Sequence, residues 1–161
     1  MDYRIISLPP FKAASSGADR AFDFSPEGIL GKFDKYFSAI SPSPRDSFMP
    51  RDFLYFDTAA GGLVWIYALS EDIDPADNEV VDFPGGLYLT YTYKDGDEQA
   101  GAALRQGAIK FLEDTGVLEA DISESRPEMG HIITPSEVGV ALGYTQMETF
   151  LPIRIKKQNM K

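Results

Sequence analysis

The chain has 161 residues, of which 43% are hydrophobic and 12% aromatic, enough to bury the core of one folded domain. Its formal net charge of -10 argues against direct binding to nucleic acid, because affinity for phosphates comes largely from Lys and Arg. The absence of cysteine excludes disulfides, thiolate metal sites and a cysteine nucleophile, and no apolar run reaches the roughly 18 residues of a membrane span, so we expect a cytoplasmic protein.

The first half of the chain reads as an apolar stretch, a helix and two strands. The apolar stretch covers residues 4–15. Ser25 is a suitable N-cap residue and Pro26 suits the first helical position, so we predict that a helix opens there. Apolar side chains then recur at three- and four-residue spacing and form one helix face: Ile29, Leu30, Phe33, Phe37 and Ile40. Alternating apolar residues predict strands at residues 53–57 and 63–69.

The second half repeats this order after an acidic, turn-rich segment at residues 70–84, which we predict to be a surface loop. A strand is predicted at residues 87–93. A long helix follows, with Asp97 as its N-cap and Gly116 as its C-cap. Its stripe of small and apolar residues consists of Ala100, Ala103, Leu104, Gly107, Ala108, Phe111 and Leu112. Two more strands are predicted at residues 128–133 and 145–155.

The repeated order of elements indicates an α+β fold made of duplicated β-α-β-β modules. We place the whole chain in one domain, with halves at about residues 1–80 and 85–155 related by a pseudo-twofold axis. Both faces of the strands at residues 63–69 and 87–93 carry apolar or aromatic side chains, so we expect the second face to be partly covered or to line a cavity. The groove between two such modules is the expected place for a ligand.

Three segments of the chain resemble the GyrI-like small-molecule-binding domain, also called the bacterial transcription activator effector-binding domain. They are YRIISLPPFKAA (residues 3–14), GLYLTYTYKDG (residues 86–96) and ETFLPI (residues 148–153). The resemblance covers nearly the whole chain. It implies two modules with antiparallel sheets, helices on the outer face and an aromatic ligand groove between the modules. It also implies that the acidic residue of the last strand, here Glu148, lies in that groove.

The candidate ligand-binding residues are Glu148 and five aromatic residues. Glu148 would supply a charge or a hydrogen bond to the ligand, unless it is an ordinary exposed strand residue. The aromatic residues would supply stacking and apolar area, unless they only pack in the core: Trp65, Tyr67, Tyr88, Tyr91 and Phe150. We expect His131, the only histidine, to have a structural or surface role away from Glu148. We assign no catalytic residue, metal ligand or cofactor.

The resemblance implies a sensor domain that binds a small amphipathic organic molecule, either cationic or neutral. The domain would stand alone or serve a transcription regulator of the AraC or MerR type, with a fused or separate DNA-binding domain as its partner. We expect no direct contact with nucleic acid or with a membrane. Two alternatives remain open. One is a small-molecule hydrolase of the GyrI-like group, with Glu148 as general base. The other is an acidic protein that inhibits a partner such as gyrase.

Overall fold

The structure, a computed structural model, describes residues 2–41, 43, 46 and 50–158. Over these residues the chain forms nine strands and three helices, and the strand pairings reported below are all antiparallel. The predicted α+β fold with antiparallel sheets is therefore confirmed. The chain divides into two compact units. One contains the chain up to Pro9 and from Gly85 onward, which we call the split unit. The other is Pro10–Pro84, which we call the continuous unit.

Three helices are interspersed among the nine strands of the described residues. In chain order they are β1 (Arg4–Leu8), β2 (Phe11–Ser15), α1 (Ile29–Ser38), β3 (Asp52–Asp57), β4 (Gly62–Ala68), β5 (Glu79–Phe83), β6 (Gly86–Lys94), α2 (Glu98–Thr115), β7 (Leu118–Ala120), β8 (Met129–Ile132), α3 (Ser136–Leu142) and β9 (Gln146–Ile155). None of the three helices in the described part of the chain combines the length and the apolar character that crossing a bilayer requires.

In the continuous unit, a sheet with the strand order β3-β4-β2-β5 carries helix α1. Helix α1 buries Leu30, Phe33 and Phe37, which recur at three- and four-residue spacing on one helix face. Phe33 and Phe37 form a cluster with Ala14 of β2, against which Trp65 and Tyr67 of β4 also pack. The odd-numbered side chains of β4 therefore point toward α1, because alternate residues of a strand share a face.

In the split unit, a sheet with the strand order β1-β6-β9-β8 carries helix α2, and β7 pairs with the far end of β9. Ala108 and Leu112 of α2 pack against the odd-numbered residues of β6 and β9, namely Leu89, Tyr91, Leu151 and Ile153. Helix α2 begins and ends as predicted. The side chain of Asp97 accepts a hydrogen bond from the backbone N–H of Ala100 at 3.0 Å, and Gly116 adopts a left-handed conformation with φ 70°.

Four details of the prediction were wrong. Helix α1 begins at Ile29 rather than near Ser25, because the carbonyl of Ser25 closes a turn with the N–H of Gly28. Strand β5 lies inside the predicted surface loop. The apolar stretch at residues 4–15, which takes the place of one strand in the predicted β-α-β-β order, forms two strands, β1 and β2, which pair in different units on either side of Pro9 and Pro10. Helix α3 and strand β7 have no counterpart in the prediction.

Candidate functional site

The even-numbered residues of β6 and β9 lie on the side of their sheet opposite to α2. The register places Thr92 beside Glu148, Thr90 beside Phe150 and Tyr88 beside Pro152. We call this surface the Glu148 face and define it by these six residues. Four of the six residues are less than 2% exposed, namely Tyr88, Thr90, Phe150 and Pro152. They are buried even though α2 packs against the other side of the sheet. Two of the predicted site residues, Tyr88 and Phe150, therefore share a face with Glu148.

Glu148 is a buried carboxylate whose counter-ion comes from a largely exposed side chain. The residue is 5% exposed, so the interpretation as an ordinary exposed strand residue was wrong. Nη2 of Arg4 donates to both carboxylate oxygens of Glu148, at 2.8 and 2.6 Å, while the Arg4 side chain remains 65% exposed. The hydroxyl of Thr92 donates to the same carboxylate at 3.4 Å. The desolvated charge of Glu148 is thus balanced by a cation that lies toward solvent.

Two further groups on the Glu148 face are capable of binding a ligand. Thr90 is fully buried, and its Oγ1 makes no hydrogen bond within the described part of the chain. An unpaired buried hydroxyl carries a desolvation cost of about 1–3 kcal/mol, which a ligand or water can remove. The Tyr88 ring lies 4.9 Å from the guanidinium carbon of Arg126 and meets Phe150 edge-on at 6.3 Å. Burial raises the pKa of Tyr88, and a hydrogen bond and positive charge from Arg126 oppose that rise.

His131 lies directly opposite Glu148 in the pairing of β8 with β9. Directly opposed residues of an antiparallel pair project on the same side of the sheet, with Cβ atoms about 5 Å apart. The expectation that His131 would lie away from Glu148 was therefore wrong. The two residues are 17 positions apart in sequence only because α3 is inserted between β8 and β9. No local pattern in the sequence signals their proximity.

Tyr91 does not share the Glu148 face. It lies on the opposite side of β6, in the core beneath α2. Burial raises the pKa of Tyr91 to about 12, with a further rise from the negative charge of Glu128 and the neighbouring Tyr93. A hydrogen bond with Thr149 and the charge of Arg105 oppose this rise. Tyr91 is therefore a neutral core residue in this structure, and we leave it out of the candidate site.

Trp65 and Tyr67 line a separate cavity in the continuous unit, which we call the Trp65 pocket. The pocket has a volume of about 170 Å³ and lies between α1 and strands β3 and β4. Its lining residues are Phe33, Asp34, Phe37, Ser38, Asp52, Trp65 and Tyr67. The indole Nε1–H of Trp65 donates to Oδ2 of Asp52 at 3.0 Å, and the ring of Tyr67 stacks on Phe37 with centroids 4.5 Å apart. Sequence reasoning found the two aromatic residues but missed Asp34 and Asp52.

In neither site do the described residues form a cluster suited to a metal ion. Among the described residues, no group of three or more His, Asp or Glu side chains is arranged to hold a metal.

Arg4, the counter-ion of Glu148, was also missed from the sequence. Its strand pairs with β6 rather than with β9, so its contact with Glu148 depends on side-chain reach across the intervening strand.

Comparison with known proteins supports the fold. No protein-family model matches the chain, and no curated protein matches it. Among solved structures, it is similar to a hydrolase from Listeria innocua, with 13% identity over 95% of this chain and 92% of that one and a TM-score of 0.57. The protein SAV2435 bound to tetraphenylphosphonium has 11% identity over 96% and 94%, with a TM-score of 0.55. The EcmrR C-terminal domain has 14% identity over 94% and 96%, with a TM-score of 0.51. At these identities the similarity establishes a shared fold.

Proposed function

We propose that this protein is a small-molecule-binding domain of the GyrI-like effector-binding type and that its ligand contacts the Glu148 face. The observation that carries this proposal is a buried carboxylate, an unpaired buried hydroxyl and two aromatic rings on one side of one sheet. Each polar group costs free energy to bury, and apolar residues would pack the same surface without that cost. A ligand that contacts both groups accounts for their presence.

The ligand we favour is an amphipathic organic cation. Glu148 supplies a desolvated negative charge, while Tyr88 and Phe150 supply aromatic surface. SAV2435, which shares the fold, was solved with tetraphenylphosphonium, a cation of this chemical class. This makes tetraphenylphosphonium a suitable first probe for the present chain.

A cationic ligand must compete with Arg4 for the carboxylate of Glu148. The Arg4 guanidinium occupies the position beside Glu148 that a cationic ligand would take, while 65% of its side chain is exposed to solvent. Arg4 is therefore a tethered competitor, present at a high effective concentration for as long as β1 stays paired with β6. A cationic ligand gains the charge of Glu148 only after it displaces Arg4.

The test is calorimetric titration of tetraphenylphosphonium into the wild type and two variants. Glu148→Gln keeps the size of the side chain but removes its charge, and we expect binding to weaken by about 1–3 kcal/mol. Arg4→Gln removes the competitor, and we expect binding to tighten by up to about tenfold. Glu119 and Arg154 form an exposed ion pair in the same unit, so Glu119→Gln and Arg154→Gln are matched controls that should bind as the wild type does.

Affinity that is the same in Glu148→Gln and Arg4→Gln as in the wild type would contradict this assignment. A ligand could then still bind elsewhere, but the Glu148 face would not be its site. Weakening in both variants would also count against the competitor role of Arg4, because it would mean that the ion pair itself supports binding.

A hydrolase remains the second candidate, because His131 lies beside Glu148 in the register of β8 and β9. A carboxylate next to an imidazole is a common arrangement for orienting a general base. Against this, both oxygens of Glu148 accept hydrogen bonds from Arg4. Turnover of ester and strained-ring substrates is the deciding measurement. A hydrolase would lose about 10²–10⁴-fold in rate in Glu148→Gln and in His131→Asn, with substrate binding nearly unchanged.

A further inference from the structure

Thr90 lies in the middle of the Glu148 face and has a buried hydroxyl without a partner. The residue is fully buried, and its Oγ1 makes no hydrogen bond to any described residue. Native structures retain few buried polar groups in this state, because each one loses its hydration without compensation. We propose that Thr90 donates to a neutral oxygen of the ligand, so that the ligand is an amphipathic cation that also carries an ether or carbonyl group. This inference rests on the function proposed above, because it concerns the ligand of the same face.

The side chains that flank Thr90 in the strand register cannot accept its proton. These are Phe150 on β9 and Arg4 on β1. A phenyl ring carries no oxygen or nitrogen acceptor, and a guanidinium only donates. The carboxylate of Glu148, two residues from Phe150 on β9, already accepts from Arg4 and from Thr92. An acceptor supplied by a ligand would therefore satisfy a donor that the described part of the chain leaves unpaired.

The side chain of Arg4 crosses β6 beside Thr90. Arg4 stands opposite Thr90 in the β1–β6 register, and directly opposed residues project on the same side of a sheet. Its Nη2 nevertheless reaches Glu148 on β9, the strand beyond β6. The Arg4 side chain is largely exposed while Thr90 is buried, so Arg4 lies on the solvent side of Thr90. A ligand that takes the place of Arg4 at Glu148 thus comes to lie beside the Thr90 hydroxyl.

The spacing on the face limits where the acceptor lies in the ligand. Thr90 and Glu148 are diagonal neighbours across β6 and β9, and such residues are about 7–8 Å apart in an antiparallel pair. A cationic centre at Glu148 and an oxygen at Thr90 are then a few covalent bonds apart. The acceptor is neutral, because the buried carboxylate of Glu148 would repel an anionic group at this distance.

Two phosphonium ions that differ at one position test the inference. (2-Methoxyethyl)triphenylphosphonium carries an ether oxygen three bonds from phosphorus, and butyltriphenylphosphonium has a methylene group in its place. Calorimetric titration gives the ratio of the dissociation constant of the butyl ion to that of the methoxyethyl ion. Thr90→Val replaces the hydroxyl with a methyl group and keeps the shape of the side chain. We expect the ratio to be about three- to tenfold larger in the wild type than in Thr90→Val, which is the contribution of one neutral hydrogen bond.

A second pair of variants makes the test independent of how valine packs. Thr90→Ser and Thr90→Ala differ from each other only in the hydroxyl, so the ratio should stay near the wild-type value in Thr90→Ser and fall in Thr90→Ala. Thr149→Val is the matched control, because it removes a hydroxyl from the opposite side of β9, where Thr149 contacts Tyr93. We expect the wild-type ratio in this control.

The outcomes separate this inference from the proposed function. A wild-type ratio in both Thr90→Val and Thr90→Ala would overturn the role of Thr90. If Glu148→Gln weakened both ions in that case, the proposed function would stand without it. Failure of both ions to bind the wild type, or equal affinity of both ions for the wild type and Glu148→Gln, would contradict the proposed function and this inference together.

Discussion

Single residues of strand β6 illustrate how burial controls ionisation in this protein. Tyr88 and Tyr91 lie on opposite faces of the strand, and both are less than 5% exposed. Burial raises the pKa of both phenols because the ionised form loses its hydration. The guanidinium of Arg126 partly offsets this effect at Tyr88, whereas the charge of Glu128 adds to it at Tyr91. Both residues are therefore neutral hydrogen-bonding groups near neutral pH and not bases.

Tyr91 makes the folded state sensitive to alkaline pH. Its pKa rises from the ordinary value of 10.0 to about 12 in the folded protein, so the unfolded chain releases the proton first. The stability contribution of Tyr91 is fully present below about pH 10 and is lost as the pH rises toward about 12. Over this alkaline range, the free energy of unfolding should fall by about 1–2 kcal/mol less in Tyr91→Phe than in the wild type. Urea unfolding at a series of pH values measures it.

The control for this prediction is Tyr36→Phe, because Tyr36 is 38% exposed on α1. We expect this variant to follow the wild-type pH profile. If Tyr91→Phe also followed the wild-type profile through about pH 12, ionisation of Tyr91 would not be coupled to unfolding.

At the scale of elements, helix α2 packs closely against Tyr3, the residue before β1. The hydroxyl of Tyr3 donates to the carbonyl of Leu104 in α2 at 2.8 Å, and its ring packs against Tyr91 and Phe111. Gly107 lies beneath this contact. A Cβ atom at position 107 would stand 2.1 Å from the Tyr3 hydroxyl oxygen, so only glycine allows the approach. A residue that weakens an isolated helix is therefore needed here for packing.

Gly107→Ala tests this contact, because alanine should here destabilise the protein, whereas it usually stabilises a helix relative to glycine. In an exposed helix interior, alanine is more stable than glycine by about 1 kcal/mol. Here we expect the substitution to destabilise the protein by about 1–3 kcal/mol, since Tyr3 must move and its hydrogen bond breaks. In the Tyr3→Phe background the nearest remaining ring atom is 3.4 Å from the new Cβ, so we expect little or no loss. Thermal or urea unfolding of the four proteins gives the coupling energy. Equal effects of Gly107→Ala in both backgrounds would contradict the contact.

The sequence predicted those elements whose signals are local. Helix α2 has its own caps and an unbroken stripe, β4 alternates clearly, and β9 is a long run rich in apolar residues, so these were predicted within about one residue. Strand β5 was missed because its Glu79 and Asp82 resemble the acidic loop before it, while its pairing with β2 is not a local property. Helix α3 was missed because it has only seven residues and no side-chain cap.

Only part of the candidate site could be predicted from the sequence. Alternation placed Tyr88 and Tyr91 on opposite faces, but it could not tell which face α2 would cover. The burial of Glu148 was suggested only by the family resemblance. Its contacts with Arg4 and its opposition to His131 depend on the strand order, which is set by pairing between distant segments. Asp52 was missed because it joins the site through a hydrogen bond from Trp65 on the neighbouring strand β4, which the sequence does not reveal.

At the scale of the whole molecule, the first strand and the second belong to different units. β1 pairs with β6 over five residues, whereas β2 begins after Pro9 and Pro10 and pairs with β4 and β5. Proline lacks the N–H that continued pairing would need, so two successive prolines suit a change of sheet. The strand that carries Arg4 is thus separated in sequence from the rest of its own sheet.

Removal of residues 1–8 tests this arrangement. The truncation takes away the pairing partner of β6, so we expect the amides of β6 that bond to β1 to lose protection in hydrogen exchange. Amides of the β3–β4 ladder provide the internal reference, because their partners are retained. Wild-type protection of β6 in the truncated chain would show that β1 contributes little to the sheet.

The position of β1 also affects how the protein folds while it is being synthesised. β1 leaves the ribosome before its partner β6, which follows only after the whole continuous unit has been made, and Glu148 of β9 follows later than β6. A nascent chain tends to fold its N-terminal units first, so we expect Pro10–Pro84 to fold while β1 is still unpaired. The pairing of β1 with β6 and the contact of Arg4 with Glu148 then form after the continuous unit has folded. Translation stalled before β6 would leave a nascent chain with a folded continuous unit and no complete Glu148 face.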